Sequence, residues 1–427
     1  MTDPTAYVYI DLDGVSRAVG RLWTRRDRNR ESASFEFERD WLADPVHHAL
    51  GPALPPTEGA FHTSEGRALF GALGDSAPDR WGRRLITRNE ARRAHAAGTA
   101  PRAPREIDYL LGVTDIVRQG ALRFRMTPDG PFVAPLDAEG GGRAHVPPLI
   151  ELPELLTAAN ALSEDPDSVE ADNAVRLLLA PGSSLGGARP KASVRDHDGA
   201  LAIAKFPDIE DSIDVIRWER VMLTLAERAG ITVSDARLQA VGDSVVLIVR
   251  RFDRRGEDRV PFLSAMSLLD AADGEHRSYV EIFDALRQIA SDPKADGAQL
   301  WRRLAFNILA SNFDDHLRNH AVVYDGVAWR LSPAYDLNPV PAHVKPRELT
   351  TAINIDGDPI ASIELALEAA SEFFLTESDA RLIATEVSTA TEHWRSIAAD
   401  CGIPRDEIER MASAFEHDDA TIVRTWS

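Results

Sequence analysis

The chain contains very little cysteine: Cys401 is the only one among 427 residues. An internal disulfide is therefore excluded, and so is a metal cluster held by several thiolates. Apolar runs are short, and none approaches the roughly 18 residues that a membrane-spanning helix requires. Positive charge is also scarce, because 48 Lys and Arg residues stand against 68 Asp and Glu residues and the net charge is −20. A chain of this charge is not expected to carry a broad nucleic-acid-binding face.

The first residues are not expected to form a signal peptide. The segment MTDPTAYVYIDLDG has neither the basic region nor the apolar region of a secretory signal peptide. Hydrophobic residues make up 44% of the chain and charged residues 27%, as in ordinary globular proteins. We therefore expect a cytoplasmic protein of two or three domains that makes no contact with a membrane.

Turn signals and apolar periodicity predict three regions along the chain. Residues 1–145 are expected to form a first domain, and a stretch rich in glycine and proline at 129–148 is expected to be a linker or boundary region. Residues 146–253 mix helices and strands, and one of these strands ends at Lys205. Residues 254–427 are expected to be mostly helical.

Local patterns predict several individual elements. A hairpin is expected around Asp13-Gly14, because alternating apolar residues flank a favoured two-residue turn. A second hairpin, AVVYDGVAWRL, is expected to turn in the same way at Asp325-Gly326. Apolar residues at helical spacing between Trp301 and Leu309 predict a helix that leads to Asn312. Another amphipathic helix is expected to stop at Gly230.

The segment SNFDDHLRNHAVVYDGVAWRLSPAYDLN, residues 311–338, concentrates polar residues that suit phosphoryl transfer. Asp314 and Asn319 are five residues apart in a loop, and the hairpin is expected to fold Asp336 back towards them. One carboxylate can accept the proton of an attacking hydroxyl, while an amide oxygen and a second carboxylate hold Mg²⁺ on the phosphates of ATP. The alternative is a solvated loop in which these residues act as caps and turn formers.

Two histidines in the same segment allow another interpretation. With Asp314, His316 and His320 supply mixed oxygen and nitrogen ligands of the kind found in a Zn²⁺ or Mn²⁺ hydrolase. Loop histidines beside asparagines more often have structural roles, so we keep metal-dependent hydrolysis as an alternative.

Upstream segments have the order expected of a nucleotide-binding lobe. SSLGGARPKASV places glycines in a turn that can direct backbone N–H groups at phosphates, although ordinary turns have the same composition and the Walker A pattern is absent. Lys205 either meets an anion or extends into solvent, and Glu219 can pair with it. LIVRRFDRRG either joins two lobes and packs Phe252 near adenine, or is a charged strand end. The whole order is that of a two-lobed kinase.

These motifs together resemble the HipA family of bacterial serine/threonine kinases, the toxins of type II toxin–antitoxin modules. GGARPKA, AIAKFP, RRFDR, NFDDHLRNHAV and SPAYDLNP are similar to the family's phosphate loop, lysine strand, hinge, catalytic loop and metal-binding motif. FEFERDWLAD and GALGDSAPDRWGRRLI resemble its N-terminal domain. The resemblance implies an α/β (α+β), two-lobed protein-kinase-like fold related to the lipid-kinase branch. A HipA-type N-terminal domain and a mostly helical C-lobe complete the implied fold.

The resemblance also implies roles for single residues. Asp314 is implied as the catalytic aspartate, and Asn319 and Asp336 as Mg²⁺ ligands. Ser184, or its neighbour Ser183, matches the serine whose autophosphorylation inactivates the kinase, since a dianion there would repel the triphosphate. The implied ATP-binding residues are Lys205, Gly186, Gly187, Ala188, Arg250, Phe252 and His316.

Two positions depart from the family pattern. Arg189 stands where glutamine is common, and Asp315 stands where glycine is common. The extra carboxylate of Asp315 is expected either to bind a second metal ion or to face water. Neither change removes an essential group, so an active kinase is expected.

Partners are also implied by the resemblance. The implied substrate is a serine of an aminoacyl-tRNA synthetase, of the glutamyl or tryptophanyl type, whose phosphorylation halts translation. A HipB-like helix-turn-helix antitoxin is expected to bind the kinase, and the complex to repress its own operon. An acidic chain would then reach DNA only through its basic partner. The alternative is a weakly active scaffold that acts as corepressor in an antitoxin–DNA complex.

Overall fold

The computed structural model describes residues 5–28, 30–133, 146–164, 168–179 and 187–426. The chain divides into two compact units. Unit 1 comprises Met1–Glu210, Ala240–Leu263 and Asp270–Ala272, and unit 2 comprises Asp211–Gln239, Ser264–Leu269 and Asp273–Ser427. The three-part division predicted from the sequence stays a prediction. Over the described ranges, no helix is long and apolar enough to span a membrane.

Helices and strands alternate irregularly along the chain. The strands are β1 (Ala6–Leu12), β2 (Val15–Asp27), β3 (Arg30–Phe37), β4 (Ala60–His62), β5 (Leu122–Arg125), β6 (Lys191–Arg195), β7 (Leu201–Lys205), β8 (Ala236–Val241), β9 (Ser244–Arg250), β10 (Arg254–Arg255), β11 (Asp258–Arg259), β12 (Phe262–Ser264), β13 (Ala321–Tyr324) and β14 (Trp329–Leu331). The α-helices are α1 (Arg39–Ala43), α2 (Gly71–Gly74), α3 (Arg80–Ala96), α4 (Glu106–Leu111), α5 (Leu152–Glu164), α6 (Val169–Leu179), α7 (Val215–Arg228), α8 (Ala265–Leu268), α9 (Tyr279–Leu286), α10 (Pro293–Leu309), α11 (Ile363–Glu368), α12 (Glu377–Thr391), α13 (Trp394–Asp400), α14 (Arg405–Arg410) and α15 (Asp418–Arg424).

The first sheet of unit 1 has the strand order β4-β3-β2-β1-β5. Side chains of β1 alternate between buried and half-buried, which is the period expected of a strand with one face on a core. Leu12 pairs with Val15, so only Asp13 and Gly14 connect β1 to β2. Both have positive φ, 52° and 73°, as this tight turn requires. The predicted first hairpin is confirmed.

The second sheet of unit 1 pairs β6 with β7 and β7 with β9, all antiparallel. Its apolar face shares one core with α5, α6 and α3. The indole N–H of Trp81 on α3 donates to the backbone oxygen of Lys191 at 2.9 Å. The ammonium of Lys191 pairs with Asp79 at 3.0 Å, and both side chains are buried. Helix α3 and strand β6 are therefore joined by packing and by a buried ion pair.

Helix α10 is the centre of unit 2 and packs against α9, α11 and α12. Its start follows from the sequence, because Asp292 caps the helix and Pro293 occupies the first turn. Large side chains such as Trp301 and Phe306 are fully buried. The predicted helix before Asn312 is thus confirmed. Helix α7 stops before Gly230, whose φ is +74°, as predicted.

The second predicted hairpin is present in unit 2, but its turn is longer than expected. Tyr324 pairs with Trp329, so four residues connect β13 to β14. The carboxylate of Asp325 accepts hydrogen bonds from the backbone N–H groups of Val327 and Ala328 at 2.9 and 3.0 Å. These side-chain bonds stabilise the wider loop, and the two-residue turn predicted at Asp325-Gly326 is wrong.

Candidate active site

The candidate site of unit 2 lies on the loop between α10 and β13. The chain leaves α10 through Ser311, which has a left-handed φ of +50°, and the N–H of Asn312 bonds to the Asn307 carbonyl at 2.9 Å. A single 3₁₀ turn over Leu317–Asn319 precedes β13. The side chain of Asp314 is exposed on this loop. Its carboxylate is therefore accessible to a substrate.

Asn319 is oriented by a bond to the same loop. Its side-chain NH₂ group donates to the backbone oxygen of Asp314 at 2.6 Å, and the residue is 8% exposed. This bond fixes which end of the amide faces the loop. Over the described part of the chain, the amide oxygen Oδ1 accepts no hydrogen bond. Asn319 therefore presents the type of oxygen that Mg²⁺ prefers, which fits the predicted ligand.

The segment that carries Asp336 returns to this loop, as the hairpin prediction required. The hydroxyl of Tyr335 donates to the Arg318 carbonyl at 2.7 Å, and the N–H of Asn338 donates to Oδ1 of Asn312 at 3.0 Å. Asp336 itself has a φ of +57°, a conformation that few residues other than glycine adopt. Such an outlier is typical of a functional position. The Mg²⁺ role of Asp336 stays a prediction.

Asp315 has neither of the two environments expected from the sequence. The residue is 1% exposed, so it does not face water. Its Oδ2 accepts a hydrogen bond from the Tyr279 hydroxyl, and its Oδ1 accepts one from the Thr350 N–H, both at 2.7 Å. Burial raises the pKa of Asp315 to about 6. The carboxylate is an internal hydrogen-bond acceptor, and the expectation of a second metal ligand is wrong.

The two histidines do not form the hydrolase site considered as an alternative. His320 is buried, its Nε2 lies 3.2 Å from the Asp315 carbonyl, and its ring packs edge-on against Tyr279. Burial lowers the pKa of His320 to about 3, so the imidazole is neutral. Within the described ranges, no three His, Cys, Asp or Glu side chains form a group able to hold a metal ion. Asp314, His316 and His320 are therefore not a shared ligand set.

The predicted nucleotide-binding residues belong to unit 1, except for His316, which belongs to unit 2. Lys205 is the last residue of β7, as predicted, and its Cα pairs with Lys191 on β6. Gly187 has a φ of +95°, a conformation that suits a tight phosphate loop. Gly186, Ser183 and Ser184 lie outside the described residues. Contacts to ATP by Lys205, Gly187, Ala188, Arg250, Phe252 and His316 stay predictions, and so does the pairing of Lys205 with Glu219.

The RRFDR segment of unit 1 contains a structural ion pair that the sequence did not reveal. Arg251 and Asp253 are both buried and form two hydrogen bonds of 2.8 and 2.6 Å. Arg251 also donates to the Val117 carbonyl at 2.6 Å. The neighbouring arginines hold the pKa of Asp253 well below its usual range. Arg250, by contrast, makes an exposed pair with Asp198 at 2.7 Å.

The chain has a kinase-like mixed α/β fold. Its elements are a buried helix, a loop with Asp and Asn five residues apart, a hairpin, and a second Asp that the hairpin returns to the loop. The chain matches the HipA-like C-terminal domain over residues 183–418 and the HipA N-terminal domain over residues 11–100. The first match alone covers more than half of the chain. This chain therefore belongs to the HipA family, as the sequence motifs predicted.

Several individual proteins are similar to this chain. The Sinorhizobium fredii protein named Putative kinase Y4mE is 25% identical over 415 residues, which cover 91% of this chain and 84% of that protein. Putative kinase Y4dM of the same organism is 28% identical over 252 residues, 51% of this chain and 57% of that protein. The HipA of a solved Shewanella oneidensis complex with HipB and operator DNA superposes with a TM-score of 0.65 at 16% identity, covering 99% of this chain and 96% of that one. This similarity confirms the predicted fold.

Proposed function

We propose that this chain is an ATP-dependent protein kinase of the HipA type that phosphorylates serine or threonine hydroxyls. The observation that carries the proposal is the 2.6 Å hydrogen bond from the Asn319 amide to the Asp314 carbonyl. It joins the backbone of Asp314, whose side chain is exposed, to an amide whose oxygen accepts no hydrogen bond among the described residues, and phosphoryl transfer uses both a carboxylate and an amide oxygen of this kind. Membership of the HipA family and relatives named as kinases support the same reaction.

In the proposed reaction, Asp314 orients the substrate hydroxyl and accepts its proton while the oxygen attacks the γ-phosphorus of ATP. The bond from that phosphorus to the β–γ bridging oxygen breaks, and ADP leaves. Asn319, through its amide oxygen, and Asp336, through its carboxylate, would hold Mg²⁺. When bound, this ion neutralises charge on the phosphates. Lys205 and the backbone of Gly187 would bind the triphosphate.

We propose further that the kinase acts as a growth-arresting toxin of the cytoplasm. Its substrate would be a translation component such as an aminoacyl-tRNA synthetase, and phosphorylation of its own Ser184, or Ser183, would switch it off. A HipB-like antitoxin would also inhibit it. The solved complex of a related HipA with HipB and DNA supports this partner. With a net charge of −20, the chain would approach DNA only through the antitoxin.

Incubation of the purified protein with radiolabelled ATP and Mg²⁺ tests the proposal. Wild-type protein, treated first with phosphatase, should become labelled, and Asp314→Asn should not. Ser184→Ala should lose most of the self-labelling but should still label a purified glutamyl- or tryptophanyl-tRNA synthetase. The self-labelling of a matched Ser183→Ala variant shows which of the two serines is phosphorylated.

If phosphatase-treated wild type neither transfers phosphate nor binds ATP, the kinase assignment fails, and the corepressor role becomes the better account. If transfer occurs but neither synthetase is labelled, the reaction stands and the substrate class is wrong.

A further inference from the structure

A continuous chain of buried hydrogen bonds links the two halves of the candidate site within unit 2. The Tyr279 hydroxyl donates to Oδ2 of Asp315, and the side-chain NH₂ of Asn307 donates to that hydroxyl oxygen, both at 2.7 Å. Asn312 donates to Oδ1 of Asn307 at 3.0 Å. Finally, the N–H of Asn338 donates to Oδ1 of Asn312 at 3.0 Å. Asp315 follows Asp314 directly, and Asn338 lies two residues after Asp336.

The chain of bonds has one direction. Each side chain offers one donor to the preceding member and one acceptor to the following one, and the series ends on the carboxylate of Asp315. A carboxylate accepts only, so it fixes the Tyr279 proton towards itself and leaves the phenol oxygen to accept from Asn307. The side chains of Tyr279, Asn307 and Asn312 are almost completely buried, with exposures of 0%, 2% and 1%. These links are therefore made out of contact with bulk solvent.

We propose that Tyr279 and Asp315 are positioning residues that set the geometry between the Asp314 backbone and the Asp336 backbone. This inference rests on the proposed kinase function. Phosphoryl transfer requires the base and the phosphate-holding groups to stay in register, and a misplacement of about 1 Å can reduce the rate roughly a hundredfold. Tyr279 and Asp315 are 0% and 1% exposed, so each would act through the backbone rather than by contact with a substrate.

Asp315 also anchors a third segment to the same point. The Thr350 N–H bonds to its Oδ1 at 2.7 Å, and the Thr351 hydroxyl bonds to its backbone oxygen at 2.6 Å. The carboxylate thus joins the loop after α10, the first residue of α9 and the segment that follows Asp336. These hydrogen bonds to Tyr279, Thr350 and Thr351 hold Asp315 in place and thereby position the backbone of its neighbour Asp314.

The test is a double-mutant cycle of Tyr279→Phe, Asp315→Asn and the combined variant. Steady-state kinetics of phosphate transfer from ATP to whichever protein wild type labels, thermal unfolding and amide hydrogen exchange at Asn338 are measured for each. We expect each single variant to lower kcat by about tenfold or more, with KM for ATP within about threefold. Because the two variants share the Tyr279–Asp315 bond, the double variant should lose clearly less than the product of the two single losses. Amide hydrogen exchange at Asn338 should accelerate about tenfold in Tyr279→Phe, because Oδ1 of Asn312, which accepts from the Asn338 N–H, would no longer be held in a fixed position.

Tyr9→Phe in unit 1 is the matched control, because it removes one exposed tyrosine hydrogen bond, to the Pro128 carbonyl at 3.0 Å. It should leave kcat and the exchange rate unchanged. Losses that multiply in the double variant, or a kcat of Tyr279→Phe within twofold of wild type, would overturn the inference. If wild type itself transfers no phosphate, the kinase proposal fails, and exchange at Asn338 alone then decides whether the chain of bonds positions the segment.

Discussion

The carboxylates of Asp314 and Asp315 are neighbours in sequence but lie in opposite environments: the first is exposed, and the second is 1% exposed. Burial alternates along this part of the loop, because Phe313 and Asp315 are buried while Asp314 between them is exposed. One aspartate is therefore accessible for chemistry, while the other holds the loop in place.

This contrast predicts different effects for the same substitution. Asp314→Asn should abolish phosphoryl transfer and leave the free energy of unfolding within about 0.5 kcal/mol of wild type, because its side chain is exposed. Asp315→Asn should destabilise the protein by about 1–3 kcal/mol, because Tyr279 and Thr350 donate to different carboxylate oxygens and an amide has only one oxygen in place of the two. Thermal unfolding and phosphate transfer are measured for both. Equal stability losses in the two variants would contradict the prediction.

Two substitutions of Asn319 can distinguish its predicted role as a Mg²⁺ ligand from its hydrogen bond to the Asp314 carbonyl. Asn319→Asp keeps an oxygen for Mg²⁺ but replaces the donor to the Asp314 carbonyl, whereas Asn319→Ala removes both. We expect transfer to fall at least about a hundredfold in Asn319→Ala, with a higher Mg²⁺ concentration needed for half-maximal rate. In Asn319→Asp, the Mg²⁺ requirement should stay closer to wild type while the rate still falls.

A titration of activity against Mg²⁺ at saturating ATP distinguishes these results. An unchanged Mg²⁺ requirement in Asn319→Ala would show that the amide oxygen is not a ligand. Arg318→Ala is a suitable neighbouring control, since the Arg318 side chain is exposed and pairs with Asp273 on the surface.

Local sequence patterns predicted the framework of the site because the interactions involved are local. The helix before Asn312 and the turn at Asp13-Gly14 follow from apolar spacing and from the conformations that short turns require. The four-residue loop at Asp325 was missed because a side-chain bond, rather than the dipeptide, determined its length.

The supporting residues were missed for a different reason. Tyr279 and Asp315 are 36 residues apart, and their contact depends on how α9 packs beside the loop. Asn307 was hidden within a helix whose other buried residues are mostly apolar. A polar residue on the buried face of a predicted helix was the available signal, because such a group requires a partner.

Arg250 and Asp253 give a second contrast between neighbouring charges, now in unit 1. Asp253→Asn should destabilise the protein by about 3–5 kcal/mol, because the guanidinium groups of Arg251 and Arg254 would stay buried without a full counter-charge. Arg250→Ala should cost at most about 1 kcal/mol, since its pair with Asp198 is exposed. Urea denaturation compares the two, and a larger loss in Arg250→Ala would refute the assignment of the buried pair.

His417 should make the stability of unit 2 depend on pH. Its Nε2–H donates to the Leu309 carbonyl at 3.2 Å, and its Nδ1 accepts from the Ala420 N–H at the start of α15. This arrangement needs the neutral imidazole. Burial, with a smaller effect of Arg347, lowers the pKa of His417 to about 4, although Asp419 at 3.9 Å acts in the opposite direction.

The unfolded chain binds the proton at its ordinary pKa of about 6.5, so it gains protons first as the pH falls. The stabilisation of the folded protein by neutral His417 is complete above a pH of about 6.5 and is lost as the pH drops towards 4. Between pH 7 and 5 the loss should be about 2 kcal/mol. His417→Gln keeps a donor for Leu309 but does not titrate, so its free energy of unfolding should fall less over this range.

Urea denaturation of wild type and His417→Gln at both pH values isolates this contribution. Other titrating groups, including Asp315 and His320, are common to both proteins and cancel in the difference. The stability advantage of wild type at pH 7 should therefore shrink by about 2 kcal/mol at pH 5. A difference that does not change with pH would show that His417 is as easily protonated in the folded protein as in the unfolded chain.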